Sequence, residues 1–477
     1  MSTRREIEAV IAIQLGINHT SNAYLIKYDQ SKDCKDFNVP YDTQSNTTKS
    51  VTTPTVALFD DKGGILSYGY EAELQHMQLD NANNHLLFRE FIWDLFCSDE
   101  TVPENLPAVN GRQIKSIDVV TAVLGHMIKH IKTKSELQGL PLTLKYVLTI
   151  PTCACKESRT FMREAAVKAG CLSENIKIVE EAAAVLQFCL HNKQDEGIIL
   201  LDDDNCNRKF LVVECEQDNA TLSILYFINK NMIKIVFEDN TEIWEGFHVL
   251  HNFVEMISLE ARKTLLDFFE KYPLEYYDFL QEVKSKIRRI SPECPNLKIK
   301  ISSVLLEELR CAESIQKSIL RAGHKGELEI KGDKCIVKPE QFKILFTEAG
   351  RRIVDYIEKQ LFAEFSDINQ IILVGEFAQS QILHNIIKTA FSAKNVIIPW
   401  DGSMAAARGA VFYGQSHVSF VTDVVPNMQQ TPLNNAQVAL PKALSKERRL
   451  IKSMIDDGKP SPSESKESSQ QKLCVIL

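Results

Sequence analysis

Four places in this 477-residue chain carry residues whose types and spacing can do chemistry. Asp202-Asp203-Asp204-Asn205 sets three carboxylates and an amide in a row, the donor types of a divalent-cation loop, with Asp202 and Asp204 as the metal-ligand candidates. Three adjacent residues aim inward together only on an irregular loop, so the run reads first as a solvated turn and only second as a metal site. Gly16 follows the apolar run Ile7 to Leu15, and Gly375 follows Ile371 to Val374. Both stand where a strand turns sharply, a place that suits a ligand and also suits a plain turn. Cys474-Val475-Ile476-Leu477 fits a prenylation signal, with the final Leu favouring geranylgeranyl. The 12 cysteines show no paired CxxC or Cys/His set at zinc spacing and read as reduced, mostly buried thiols.

The elements that must position these residues fall into an α/β pattern that runs twice. The first pass opens on a hairpin, Ile7 to Leu15 and Ala23 to Tyr28 around the Gly16 turn. A polar loop over 29–52, a short strand Val56 to Phe59 and a turn over 60–64 follow. Apolar residues recur at helical spacing over 71–96 and 116–138. A strand, Lys145 to Ile150, stops at Pro151, and a helix over 155–169 ends at Gly170. The strand Ile176 to Val179 then leads into a helix over 181–191.

The second pass reads as a meander over 197–201, 210–215, 220–228 and 232–237, then helices over 243–289, a strand over 297–301 and a helix over 303–321. A long helix over 339–362 has Pro in its first turn and precedes the strand Ile371 to Val374. The segments 378–391, 396–398 and 403–413 complete the body.

The expected domains are a first lobe over 1–193 completed by 390–415, a second lobe over 194–389, an irregular extension over 416–455 and a disordered tail over 456–477. Lys442, Lys446, Arg448, Arg449 and Lys452 form a basic cluster that would add an electrostatic membrane contact to a prenyl group on Cys474.

An ordered set of local signals resembles the ATPase domain of the seventy-kilodalton heat-shock chaperones, and within them the heat shock 70 kDa protein 12 branch. The set is Ile13-Gln14-Leu15-Gly16-Ile17-Asn18, Thr53-Pro54-Thr55, Tyr68-Gly69-Tyr70-Glu71-Ala72, Thr149-Ile150-Pro151, Phe161-Met162-Arg163-Glu164-Ala165-Ala166, Val179-Glu180-Glu181-Ala182-Ala183, Leu373-Val374-Gly375-Glu376-Phe377-Ala378 and Gly409-Ala410-Val411-Phe412-Tyr413-Gly414. The resemblance covers roughly 7–414. It implies an actin-like ATPase (ribonuclease H-like) fold: two lobes of duplicated mixed-sheet domains with a central cleft. Nothing after 414 resembles the family's β-sandwich peptide-binding domain.

The resemblance also implies a nucleotide site, and the expected residues fit it poorly. The first phosphate hairpin of the family ends in an acidic residue, then Gly and hydroxyl residues. Here those positions are Gln14, Gly16, Ile17 and Asn18. The second loop of the family is Asp, one residue, a glycine run and Thr, and 202–207 is taken as its match. Asp202 leads, Asp203, Asp204 and Asn205 follow, and no glycine is present. A like charge about 5 Å from a phosphate costs on the order of 3 kcal/mol at an effective dielectric near 20.

Gly375 keeps the third element, but Glu376 replaces its companion glycine. The family's catalytic lysine has no counterpart in Phe88-Arg89-Glu90-Phe91-Ile92-Trp93. On the nucleoside side, Glu282 and Lys286 share a helix that would reach a base. If the site is retained, ATP and Mg²⁺ are its ligands and Asp202 its catalytic carboxylate.

The expected function is therefore a non-catalytic chaperone relative that binds protein partners, with a slow ATPase as the alternative. A sugar kinase needs intact phosphate loops and is set aside. The net charge of −8 gives no basic excess for nucleic acid. The charged N-terminus is not signal-like and no apolar run spans a bilayer, so the expected location is cytoplasmic, with peripheral contact at the cytosolic membrane face.

Overall fold

The computed structural model describes residues 7–27, 36–42, 49–79, 84–89, 91–97, 101–138, 142–152, 154–191, 208–216, 220–229, 232–239, 296–304, 306–307, 328–416 and 419–422, with isolated positions between 272 and 293. Asp202, Asp203, Asp204 and Asn205, the helices expected over 243–271 and 309–321, the basic cluster Lys442–Lys452 and Cys474 lie outside the described residues.

The chain opens with β1 (Ile7–Leu15), β2 (His19–Lys27), β3 (Asp36–Phe37), β4 (Tyr41–Asp42), β5 (Lys49–Ser50), β6 (Thr52–Pro54), β7 (Val56–Phe59) and β8 (Ile65–Tyr68). Then come α1 (Tyr70–Gln78), β9 (Leu86–Arg89), α2 (Phe91–Phe96), β10 (Asn105–Pro107), β11 (Gln113–Lys115) and α3 (Ser116–Lys134). β12 (Leu142–Ile150), α4 (Lys156–Lys168), β13 (Ile176–Glu180) and α5 (Glu181–His191) close the first half. The second half contains β14 (Arg208–Cys215), β15 (Ala220–Asn229), β16 (Met232–Asp239), β17 (Leu297–Lys300), β18 (Leu328–Lys331) and β19 (Lys334–Val337). It ends with α6 (Pro339–Tyr356), β20 (Gln370–Val374), α7 (Gln381–Ala390), β21 (Asn395–Ile397), α8 (Ala405–Gln415) and β22 (Ser419–Thr422).

Two mixed sheets repeat one plan. The first runs β13-β12-β1-β2-β3, with β6 also paired to β2, and the second runs β21-β20-β14-β15-β16-β22. In each, a hairpin strand pairs antiparallel with its partner and parallel with a later crossover strand: β1 with β2 and β12, β14 with β15 and β20. Both faces of β1 are covered. Ala9, Ile11, Ile13 and Leu15 enter the core beneath α2, α3 and α4, while Val10 and Ala12 face the other way. A strand buried on both sides reads as a continuous apolar run, which is what Ile7–Leu15 is.

The second core connects the two sheets. Val10, Ala12, Ala23 and Val147 of one sheet and Phe210, Val212, Ile372 and Val374 of the other enclose α5 and α8. Those two helices cross closely because their contact is made of small residues. A Cβ built on Gly409 would lie 1.7 Å from the Ala184 carbonyl oxygen, and Ala182, Ala183, Ala405 and Ala406 are buried around it. The outer face of the second sheet carries a third core, where α6 and α7 contribute Phe346, Ile353, Ile382 and Ile387.

Four expectations change. The helical spacing over 71–96 is interrupted by β9, because Leu86, Leu87 and Phe88 pair with β7 and are buried there. The long helix over 339–362 is α6 followed by a π-helical turn, Ile357–Leu361. Past Gln415, where no element was expected, β22 adds an edge strand parallel to β16. Cys155, Cys171, Cys189, Cys215 and Cys335 are free thiols as expected, whereas Cys97 is disulfide-bonded.

Candidate functional site

The strand ends of both sheets open into one cleft. Gln14, Gly16, Ile17, Asn18, His19, Ser21 and Thr52 line it from the first sheet, and Glu181 from α5. Glu214, Glu216, Thr221, Glu376 and Ser403 line it from the second half.

The first loop, 16–18, is held from behind. Thr55 donates its backbone N–H to the Asn18 carbonyl at 3.0 Å and its hydroxyl to the Gly16 carbonyl at 2.8 Å. Thr20 meets Thr55 hydroxyl to hydroxyl at 3.0 Å and the Tyr68 hydroxyl at 2.6 Å. Burial pushes the Tyr68 phenol well up, so it stays neutral. Gly69, with φ 67°, lets the backbone pass against Thr53, whose hydroxyl accepts the Tyr70 N–H at 3.1 Å. The 53–55 and 68–72 motifs thus brace the loop and stand behind the cleft wall. Gly16 is demanded by the turn itself, since a Cβ there would sit 2.7 Å from the His19 carbonyl oxygen. Ile17 packs partly into the first core.

Gln14 uses both ends of its amide. Ser21 donates its hydroxyl to Gln14 Oε1 at 2.8 Å, and Gln14 Nε2 donates to Glu181 Oε1 at 3.1 Å. A carboxylate at position 14 would face Glu181 as a like charge, so the neutral amide is what this neighbourhood accommodates. Burial raises the Glu181 carboxyl to about 7, with the Gln14 hydrogen bond working against the rise. Glu214 is pushed well above the carboxylate range, first by burial, then by the charges of Glu181, Glu216 and Glu238. Burial, followed by the Glu216 and Glu214 charges, also pushes the Cys215 thiol up.

His19 sits between two further carboxylates. Its Nδ1 is 3.8 Å from Glu216 Oε2 and its Nε2 is 3.5 Å from Glu376 Oε2. Glu376 is 4% exposed at its side chain. Gly375, at φ 102°, brings Glu376 here: a Cβ on Gly375 would lie 2.3 Å from the Cys215 carbonyl oxygen, so only glycine lets β20 end against β14.

The duplicated plan corrects the position of the second loop. Gln14 is the penultimate residue of β1, and Glu214 is the penultimate residue of β14. The turn equivalent to 16–18 is therefore the β14–β15 connection over 216–219, and Asp202–Asn205 precede β14. The family pattern of an acid, one residue, a glycine run and Thr falls on Glu214, Cys215, Glu216-Gln217-Asp218 and Asn219. The glycines are missing at this position too.

Of the expected site residues, Gly16, Ile17, Asn18 and Glu376 meet in the cleft, with Gly375 directly behind. Lys286 does not join them; it pairs with Glu282 at 3.6 Å, and Glu282 accepts the Lys300 N–H at 3.4 Å. Arg89, in the region searched for a catalytic lysine, pairs with Glu73 at 2.9 Å away from the cleft lining. Sequence reasoning missed His19, Glu181, Glu214 and Glu216. The signal for Glu214 was its place one residue before the end of an apolar run, as for Gln14.

Two duplicated mixed sheets enclosing α5 and α8, with a cleft at their strand ends, define an actin-like body of the ribonuclease H-like kind. No family model matches the chain. It is 21% identical to heat shock 70 kDa protein 12A of Mus musculus over 521 aligned positions, which cover 96% of this chain and 76% of that protein. It is 21% identical to heat shock 70 kDa protein 12B of Homo sapiens, over 76% of this chain and 62% of that protein. Human heat shock 70 kDa protein 12A aligns at 20% over the same 96%. The chain is a divergent relative of the heat shock 70 kDa protein 12 branch of the seventy-kilodalton heat-shock family.

Proposed function

We propose that this chain is a pseudo-ATPase: it keeps the actin-like body as an interaction module for protein partners and neither binds nor hydrolyses ATP. One observation carries this reading. Four carboxyl side chains (Glu181, Glu214, Glu216 and Glu376) line the cleft and no Lys or Arg stands among its described lining residues. A triphosphate needs close backbone N–H groups, cations or a metal held by ionised carboxylates. Here the glycine positions carry Glu216 and Glu376, and the position that would hold hydrated Mg²⁺ carries Gln14. Each unscreened carboxylate about 5 Å from a phosphate opposes binding by on the order of 3 kcal/mol. A micromolar affinity is only about 8 kcal/mol in all, so two such repulsions remove most of it. The residues present do not fit ATP.

Thermal melting of the full-length chain with ATP or ADP, each with Mg²⁺ or Mn²⁺, tests the reading. The expected outcome is an unchanged midpoint. A nucleotide at about 100 times its dissociation constant would add about 2.7 kcal/mol, and such a rise with Mg-ATP would favour the slow-ATPase alternative.

A further inference from the structure

His19, Glu216 and Glu376 form a donor set that phosphate binding would not call for. His19 opens β2, Glu216 follows β14 and Glu376 follows β20, so the three reach the same point from both sheets. One ligand-type atom from each lies within 4.8 Å of the other two. The imidazole lies between the carboxylates, its Nδ1 3.8 Å from Glu216 and its Nε2 3.5 Å from Glu376. Ligands around a tetrahedral ion with bonds of about 2.1 Å stand roughly 3.4 Å apart, so modest side-chain rotation brings one imidazole nitrogen and two carboxylate oxygens onto a common centre. His19 and Glu376 are 14% and 4% exposed, which sets them apart from a solvated acidic surface.

A second observation points the same way. Glu181 and Glu214 line the same cleft, and no Lys or Arg stands among its described lining residues. Burying several carboxyl groups side by side leaves a negative potential that a cation relieves.

We propose that His19, Glu216 and Glu376 bind a divalent cation of the Zn²⁺ type, linking the two lobes across the cleft. An imidazole with two carboxylates suits Zn²⁺, whereas Mg²⁺ prefers an octahedron of oxygens. Three protein ligands leave a fourth position for water. The proposal rests on the acidity of the same cleft, yet its test uses no nucleotide, so either reading can fail without the other.

The test is calorimetric titration of the metal-stripped, full-length chain with Zn²⁺, with Mg²⁺ in parallel. The expected result is one Zn²⁺ per chain, with Mg²⁺ binding at least about tenfold weaker. Altering an outer-shell partner of a metal costs about 10–100-fold, so His19→Asn and Glu376→Gln should each weaken Zn²⁺ by about tenfold or more. If His19→Asn fails to fold, Glu376→Gln carries the same reading. The Co²⁺ complex should show ligand-field absorption without a thiolate charge-transfer band, which separates this site from the cysteines. Failure of the wild type to take up Zn²⁺, undiminished affinity in Glu376→Gln, or a thiolate band would each overturn the proposal.

Discussion

Glu181 shows at residue scale how the cleft responds to pH. Its carboxyl rises from the ordinary 4.5 to about 7, chiefly through burial. A raised acid holds its proton more tightly folded than unfolded, so its contribution to stability is present below about 4.5, declines as pH rises and is gone above about 7. Glu181→Gln keeps an acceptor for Gln14 Nε2 and removes the charge. It should stabilise the protein at pH 8 by on the order of 2 kcal/mol and by much less at pH 5, read from urea denaturation at both values. A larger gain at pH 5 would contradict the assignment. Cysteine chemistry gives a second residue-scale prediction. Cys171, Cys189, Cys215 and Cys335 are buried and Cys155 is half-buried, so iodoacetamide on the native protein should label Cys155 first among these five, read by peptide mass spectrometry. Burial holds the Cys335 thiol up at about 12 and pushes the Cys215 thiol higher still, so these two should react only on unfolding. Much of the residue scale was legible in sequence: Gly16, Gly375 and Glu376 stood out as turn and cleft positions. His19 and Glu181 did not, because nothing about a lone imidazole or a second glutamate in a row says that it will face another lobe.

At the scale of elements, glycine sets how closely neighbours approach. A Gly409→Ala methyl would collide with the Ala184 carbonyl where α5 and α8 cross. Overpacking of this kind costs roughly 1–3 kcal/mol or more, so the variant should unfold at lower urea than wild type. Gly375→Ala combines a positive φ with a clash against the Cys215 backbone. It should lose roughly 1–3 kcal/mol from backbone strain alone, with the same measurement as check. Wild-type midpoints for either variant would mean that the helices or strands have room to part. The elements themselves were largely legible, since β1, β12, β20 and α3 announce themselves by apolar runs and helical spacing. β9 was not: Leu86-Leu87-Phe88 fits one face of a helix as well as a strand, and only its pairing with β7 decides. The second phosphate-type loop was misplaced for a related reason. Asp202 matched the leading acid of a motif, while the register that counts is set by β14 lying between β15 and β20.

For the whole molecule, duplication explains both the likeness to the heat shock 70 kDa protein 12 branch and the difference in the cleft. Two sheets of one plan, joined through the small-residue crossing of α5 and α8, keep the strand ends facing each other. That arrangement needs only apolar patterning and a few glycines, so it persists while the loops at the strand ends change. The two-lobed plan could be read from the repeated order of strands and helices. The content of the cleft could not, because it assembles side chains separated by up to 389 positions, from Gln14 to Ser403. The most direct measurement of the central claim is calorimetric titration of Mg-ATP into the full-length chain near neutral pH. The account predicts no saturable binding up to about 1 mM, an affinity no better than about 4 kcal/mol. Saturation in the micromolar range would contradict it.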